Sequence, residues 1–453
     1  MRVYLPILLL ALTCCMKSSK NYPADENTRE NRLALADTIQ HSMRAEMLDA
    51  WYPRAVDTLW GGFITTFSHD WNAVGKEDKM IVTQARHTWV TSRASERYPD
   101  ENIYKDAAAS GFLFLKNKMW DRRHGGFHSL VSREGAVIDS SKNAYGNAFA
   151  IYALSAYYHA SGDTAALALA KKTFRWLEHH SHDPAQKGYF QHMDHKGIPI
   201  VRTRVMNSKA ETGYKDQNSS IHLLEALTAL YAVWPAPLVR ERLAEMLYLI
   251  RDVMVTKKGY LTLFFTADWQ PVSYRDSSQA LLNSHHNLDH VSYGHDVETA
   301  YLMMEASEIL EIKNDTTTRR IAKRMVDHAL TTGWDSAIGG FYDEGYYFKN
   351  SETIHILKDS KNWWAQAEGL NTLLIMADTY PADEMNYYEK FQRQWHYINR
   401  YVIDHKFGDW FAGGIDKEPF QEHALKGHIW KACYHQYRAL ENCSARLKTT
   451  PRP

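Results

Sequence analysis

Cysteine is scarce, with four in 453 residues. Cys14 and Cys15 are adjacent near the N-terminus. Cys433 and Cys443 stand ten apart on one expected helix, too far for a bond across it, so both are expected as buried thiols. Net charge is missing as well: 53 Lys and Arg balance 53 Asp and Glu, and no basic stripe breaks the balance. Nucleic acid is therefore not an expected partner. After residue 12 no apolar run reaches the roughly 18 residues of a membrane-spanning helix. A phosphate-cradling glycine loop, a Gly-x-Ser-x-Gly elbow and a His-Glu-x-x-His pair are all absent, which disfavours nucleotide-dependent and serine-hydrolase chemistry. Histidines do cluster, as His285, His286 and His290, and as His179, His180, His182, His192 and His195. None of these has strong zinc spacing. They are assigned to polar surface loops, and no metal is expected.

The N-terminus has the form of a targeting segment. Arg2 supplies a short positive region, and Val3 to Leu12 is apolar but too short for a stable membrane anchor. Leu12-Thr13-Cys14-Cys15 then looks like a bacterial lipobox. Cys15 is the expected lipidated residue, since Cys14 would need Ala11 where Leu is usual. The expected organisation is a lipoprotein signal peptide over 1–15, a flexible tether over 16–28, one catalytic domain over 29–446 and a polar tail over 447–453. The corresponding location is the periplasm or outer membrane of a Gram-negative bacterium. The expected protein is a monomer that meets the membrane only through its lipid.

Aromatic residues are plentiful, with 27 Tyr and 14 Trp. They suit both helix packing and the flat faces of sugars. A weak repeat runs through the chain, marked by a glycine turn and an apolar residue: Gly61-Gly62-Phe63, Gly125-Gly126-Phe127, Gly188-Tyr189-Phe190, Gly259-Tyr260-Leu261, Gly339-Gly340-Phe341 and Gly413-Gly414-Ile415. Between markers lie pairs of helical patterns. They cover 29–52, 80–98, 101–120, 143–161, 163–181, 218–234, 236–256, 295–311, 316–333, 361–380, 382–404 and 422–446. The first and last helices lack partners, and pairing them closes a ring of six hairpins. The expected fold is all-α, an (α/α)6 toroid with short β-hairpin loops. An open solenoid is the alternative, but it would want polar capping helices at both ends.

In that ring the even-numbered helices are inner, and unusual polar and aromatic residues lie early on each. They are Arg86; Tyr145 and Asn147; Asn218, His222 and Glu225; His295 and Glu298; Trp363, Trp364 and Glu368; and Trp430 and His435. Parallel inner helices gather their N-termini at one mouth, so a shared pocket explains the placement, although several of these groups could bond only each other. His295 and Glu298 share a helix face, as do His222 and Glu225. One such pair reads as a core histidine tied to a carboxylate; two in parallel point to proton transfer. Arg86 is either half of a buried ion pair or a fixed cation for developing oxyanion charge. Of Trp363 and Trp364, adjacent on a helix, one is expected in the core and the other against a sugar ring.

Six stretches resemble the motifs of cellobiose 2-epimerases, in the N-acylglucosamine 2-epimerase superfamily, in that family's order. They are Asp78 to Trp89, Tyr145 to Phe149, Asn218 to Ala226, Gly294 to Glu298, Trp363 to Glu368, and Trp430 to His435. The resemblance spans roughly 30–445 and implies an (α/α)6 barrel that needs no cofactor. It implies inversion at C2 of the reducing-end sugar of a β-1,4-linked disaccharide, such as cellobiose, lactose or mannobiose. The sugar opens to its aldehyde, loses the C2 proton to give an enediolate, and regains a proton on the other face. By resemblance, His295 and His435 transfer the protons, and His222 and Arg86 bind the oxygens where charge develops. Glu225 and Glu298 support histidines, while Tyr145, Asn218, Trp363 or Trp364, and Trp430 hold the sugar. The last motif departs from the family, with Cys433 where Pro is usual and Gln436 where Asn is usual. The alternatives are an aldose–ketose isomerase or N-acylglucosamine 2-epimerase of the same fold. More distant are an (α/α)6 glycoside hydrolase using Asp296 with Glu368 and a non-catalytic glycan-binding lipoprotein.

Overall fold

The computed structural model describes residues 26–206, 208–349 and 351–449. Cys14, Cys15 and most of the expected tether lie outside the described residues. Twelve principal helices follow in order: α1 Arg29–His41, α2 Ile81–Arg97, α3 Asn102–Phe114, α4 Ala144–Ser161, α5 Thr164–His180, α6 Gln217–Val233, α7 Pro237–Leu249, α8 Tyr293–Ile309, α9 Thr316–Thr332, α10 Trp363–Thr379, α11 Tyr387–Tyr401 and α12 Tyr434–Lys448. Three outer helices run on through wider π turns, α1 over Ser42–Leu48, α3 over Leu115–Met119 and α7 over Ile250–Met254.

Burial separates two rings. Fourteen of the 17 residues of α2 are buried, against six of 15 in α11. A helix apolar on all sides belongs inside, and one with a single apolar stripe belongs outside. Helices α2, α4, α6, α8, α10 and α12 pack side by side, and α12 returns to α2 to close the inner ring. Each is backed by an outer helix, and α1 packs on α12. The (α/α)6 toroid expected from the repeat is the fold, closed as the circular pairing required. Arg32 of α1 locks the closure: it bonds Asp378 Oδ1 at 2.9 Å and the Arg446 carbonyl at 3.1 Å. Both partners lie at the C-terminal ends of inner helices, so α1 begins at the base of the barrel, opposite the mouth.

Short antiparallel strands seat the inner helices. Lys79–Met80, Lys142–Asn143, Lys215–Asp216 and Val291–Ser292 each precede an inner helix and pair with a strand of the next repeat, as in Lys79 with Val131 and Lys215 with Phe265. Side-chain caps then fix several helix starts. Asn143 accepts from the Gly146 amide at 2.6 Å, and Asp216 from that of Ser219 at 2.6 Å.

A buried lysine ties each of five turns to the strand or loop that follows. Asp57, Asp121, Asp183, Asp335 and Asp404 each accept two amides of their own turn through Oδ1. Through Oδ2 they meet Lys79 (2.9 Å), Lys142 (3.0 Å), Lys215 (2.9 Å), Lys361 (2.9 Å) and Lys426. The remaining turn has Thr256 and Val291 in these places. Inner helices clamp the glycine markers directly: Gln84 brackets Phe63, accepting its amide and donating to its carbonyl, both at 2.8 Å. Gly62 has φ +67°, and a Cβ there would stand 2.6 Å from the same Gln84 Oε1.

Two expectations need correction. The last helix starts at Tyr434; 422–423 close a separate 3₁₀ turn, Pro419–His423, and 424–433 is not helical. Gly427 is drawn into a bridge with Phe67, and Lys431 is drawn to Asp409 at 2.8 Å. Trp430 therefore sits in the loop before α12. The stretch between Thr266 and Leu288 carries a short helix, Gln279–His285, which was not expected. It buries His285 against Tyr274, rings 4.4 Å apart, so this histidine is not at the surface.

Candidate active site

The N-terminal turns of the inner helices converge on a cavity of about 570 Å³ at the mouth, in the range of small-molecule sites. Tyr145, Asn218, His290, His295 and Trp430 line it. His295 lines it, and His222 and His435 lie buried at the same end of the barrel; each of the three imidazoles is anchored at Nδ1. His222 is held by Glu225 Oε2 at 2.9 Å, His295 by Ser292 Oγ at 2.7 Å, and His435 by Glu368 Oε1 at 2.6 Å. Among the described residues no protein group hydrogen-bonds Nε2 of any of the three. An imidazole whose Nδ1–H is given to a carboxylate presents the Nε2 lone pair, the form a general base requires.

Burial keeps these rings neutral. It holds His295 at about 3, with His222, His290 and His435 adding to the effect. His435 is pushed well below its ordinary value by burial and by Arg86 and Arg438, and His222 is lowered by burial against the pull of Glu225. Trp364 links the proposed proton-transfer pair, its ring 4.7 Å from His295 and 5.8 Å from His435. Trp363 instead faces the Lys431 ammonium and His428, so Trp364 is the member of the pair in the site.

Arg86 lies over the Phe149 ring, 4.5 Å from its centroid. It donates to Tyr145 Oη at 3.0 Å and to the Trp430 carbonyl at 3.4 Å. No carboxylate pairs with it among the described residues, which favours a cation available to a ligand oxygen over a buried ion pair. Tyr145 sets its ring 5.2 Å from His222. Asn218 leaves its side-chain oxygen buried and unbonded. Trp430, 53% exposed, stands at the rim.

Several sequence assignments change. Glu298 does not hold His295; its Oε1 accepts from Arg438 Nη2 at 2.6 Å. Burial and the neighbouring Glu368 push its carboxyl up to about 8, against Arg438. Asn147 and Asp296 are not cavity groups. Asn147 Oδ1 accepts the Phe127 amide at 3.1 Å, and Asp296 Oδ1 the Leu261 amide at 2.8 Å, the accepting half of the clamp that Gln84 makes. Asp296 is fully buried on the Leu261 amide and does not line the cavity, which places it out of reach of a glycosidic bond there. Cys433 is buried beside the Tyr52 hydroxyl, and Gln436 donates to Asp409 at 3.0 Å; both departures from the family motif face the shell.

Sequence reasoning missed the floor of the site. Arg438 spans three glutamates, Glu225 through Nη1 and Glu298 and Glu368 through Nη2, the last two at 2.6 and 2.7 Å. Tyr434 donates to Glu225 at 2.6 Å, and Tyr301 to Glu368 at 2.8 Å. Burial works against the charge on Glu225, but Arg438, His222 and Tyr434 outweigh it and hold its carboxyl at about 2. Glu298, Glu368 and His435 form the one grouping with metal-ligand spacing among the described residues, and Arg438 already supplies the positive charge between its carboxylates. A charge count was one available signal: glutamates buried on three inner helices require a cation.

Fold and site together define an isomerase-class enzyme, an epimerase acting on a sugar. The chain belongs to the N-acylglucosamine 2-epimerase (GlcNAc 2-epimerase) family, whose profile matches residues 62–439. Its relatives include the cellobiose 2-epimerase of Bacteroides fragilis, 28% identical over 420 residues, covering 89% of this chain and 97% of that one. The cellobiose 2-epimerase of Ruminococcus albus is 30% identical over 386 residues, covering 83% and 90%. The solved structure of cellobiose 2-epimerase from Spirochaeta thermophila has a TM-score of 0.78 at 27% identity, covering 92% of this chain and 98% of that one.

Proposed function

We propose that the protein interconverts glucose and mannose at the reducing end of β-1,4-linked disaccharides. The reading is carried by the three imidazoles, each anchored through Nδ1 with Nε2 unbonded at one mouth. One Nε2 of the His295–His435 pair takes the C2 proton of the open-chain sugar. The electron pair moves into a C1–C2 double bond, and charge gathers on the C1 oxygen, near His222 and Arg86. The other imidazole of the pair enters this step as imidazolium, protonated from solvent, and gives its Nε2 proton to the opposite face of C2, so the pair gains one proton as it loses one. Glu368 at His435 Nδ1 compensates the positive charge that this ring gains on taking a proton.

Proton NMR with cellobiose, lactose and mannobiose in D2O tests the reading. Deuterium at C2 together with a C2 epimer supports it. A ketose product would make the enzyme an aldose–ketose isomerase, and free monosaccharides would make it a hydrolase. Binding without exchange, surviving loss of His295 and His435, would make it a glycan-binding protein. We further propose lipidation at Cys15, placing the enzyme on released oligosaccharides outside the cytoplasm. Palmitate labelling that disappears in a Cys14/Cys15 double variant is the expected outcome, and no labelling of the wild-type chain removes the proposal.

A further inference from the structure

Arg438 touches none of the three imidazoles, yet it binds the carboxylates that hold two of them. Its two terminal nitrogens divide the work: Nη1 meets Glu225, the anchor of His222, and Nη2 meets Glu368, the anchor of His435. Tyr434 Oη lies 2.6 Å from Nη1 and donates to Glu225 in turn. Below the guanidinium is a second cavity of about 260 Å³, lined by the C-terminal halves of the inner helices. Trp89 and Tyr152, stacked 5.2 Å apart, are among its walls, with Arg93, Glu305 and Glu441. Arg438 thus lines this lower cavity while its guanidinium holds the anchors of His222 and His435.

We propose that Arg438 is a positioning residue for two imidazoles at once, fixing His222 through Glu225 and His435 through Glu368. The proposal rests on the reading of those rings as oxyanion-binding and proton-transferring groups. Its physical basis is the gathering of buried carboxylates around a single guanidinium at the barrel axis. The groups facing the guanidinium are Glu225 on α6, Glu298, Tyr301 and Glu305 on α8, Glu368 on α10, and Tyr434 and Glu441 on α12. Tyr152 on α4 and the like charges of Arg86 and Arg93 on α2 complete the surroundings. Burial already raises the Glu298 and Glu368 carboxyls with the guanidinium in place, and only Glu225 is held low; without Arg438 all three carboxyls rise further. A protonated Glu368 or Glu225 no longer compensates charge on its imidazole, so both anchors fail together.

Arg438→Ala and Arg438→Lys test this, with C2 deuterium exchange in the wild type as the reference. In Arg438→Ala we expect kcat to fall about 100-fold, the scale of one acid–base contribution, with KM within a few-fold. The pH limb of kcat should move. Free guanidinium, below its denaturing range, should restore turnover through the lower cavity, whereas methylammonium, with one nitrogen, should not. In ¹⁵N-histidine NMR, the His222 and His435 signals should change together while that of His295, anchored on Ser292, stays. Wild-type kcat in Arg438→Ala, or a lower kcat with unchanged His222 and His435 signals, would overturn the proposal. If the alanine variant does not fold, Arg438→Lys decides by the same kcat, pH and NMR readouts, because one ammonium cannot bridge both anchors. A wild type without C2 exchange would defeat the epimerase reading instead, and the histidine signals would still decide the role of Arg438.

Discussion

Ser292 and Glu368 treat their histidines differently. A carboxylate at Nδ1 compensates an imidazolium, whereas a hydroxyl only orients the ring. Glu368→Gln should therefore lower C2 exchange about 100-fold, and Ser292→Ala about tenfold or less, both read by deuterium incorporation. His87 makes a prediction of another kind. It is buried between Phe63 and Trp51, bonds Tyr52 Oη at 2.9 Å, and is held by burial at about 3 against an ordinary 6.5. Between those values the unfolded chain binds the proton and the folded chain does not, so stability rises with pH. This contribution is complete above 6.5 and is lost as pH falls toward 3. The Tm of wild type should fall over that interval, and that of His87→Phe should fall less. The histidines of the site were legible because their residue type and early helix position are visible in sequence. Their partners were only half legible. A spacing of three shows that His295 and Glu298 share a face, but not that Ser292 lies nearer to one and Arg438 to the other. Arg438 stands three past His435, the same spacing as Glu225 from His222 and Glu298 from His295; that parallel and the unbalanced glutamates were the cues to it.

The buried lysines are the elements' fasteners. Lys79 and Asp57 have fully buried side chains, and Lys79→Met leaves the Asp57 carboxylate with only the partly exposed Arg133 as a cation partner. The expected cost is about 3–5 kcal/mol, the usual scale for breaking a buried pair, measured by denaturant unfolding. Asp296 sets the opposite case. Its carboxyl is raised well above 3.8, so its contribution to stability is complete below that pH and is lost as pH rises toward its folded value. Asp296→Asn keeps the acceptor for the Leu261 amide. It should match wild type at pH 4, gain about 1–3 kcal/mol at pH 8, and leave epimerisation near wild type. Helix boundaries were read within about two residues for most elements, because apolar periodicity and turn glycines punctuate them. The stretch before α12 failed because Leu425, Ile429 and Trp430 mimic a helical stripe. There, tertiary pairing of Gly427 and the two lysines overrides local preference. The lysine–aspartate clips themselves were not visible, since their partners lie up to 32 residues apart with no fixed interval between them.

At the scale of the molecule, stability depends on ring closure. Helix α1 is the outer partner of α12, and Arg32 is the latch between them. A chain beginning at Asn27 should keep both Tm and C2 exchange. One beginning after Trp51 should lose cooperative unfolding, since α12 would present its buried face to water. Arg32→Met should cost about 3–5 kcal/mol by leaving Asp378 with only its contact to Arg446. Thermal unfolding followed by circular dichroism distinguishes all three. The position of that latch also sets a direction. The chain enters the barrel from the side farthest from the reaction cavity, so a lipid on Cys15 would moor the enzyme by its keel, with the open deck turned to the water. Sugars would then board from solution rather than along the bilayer.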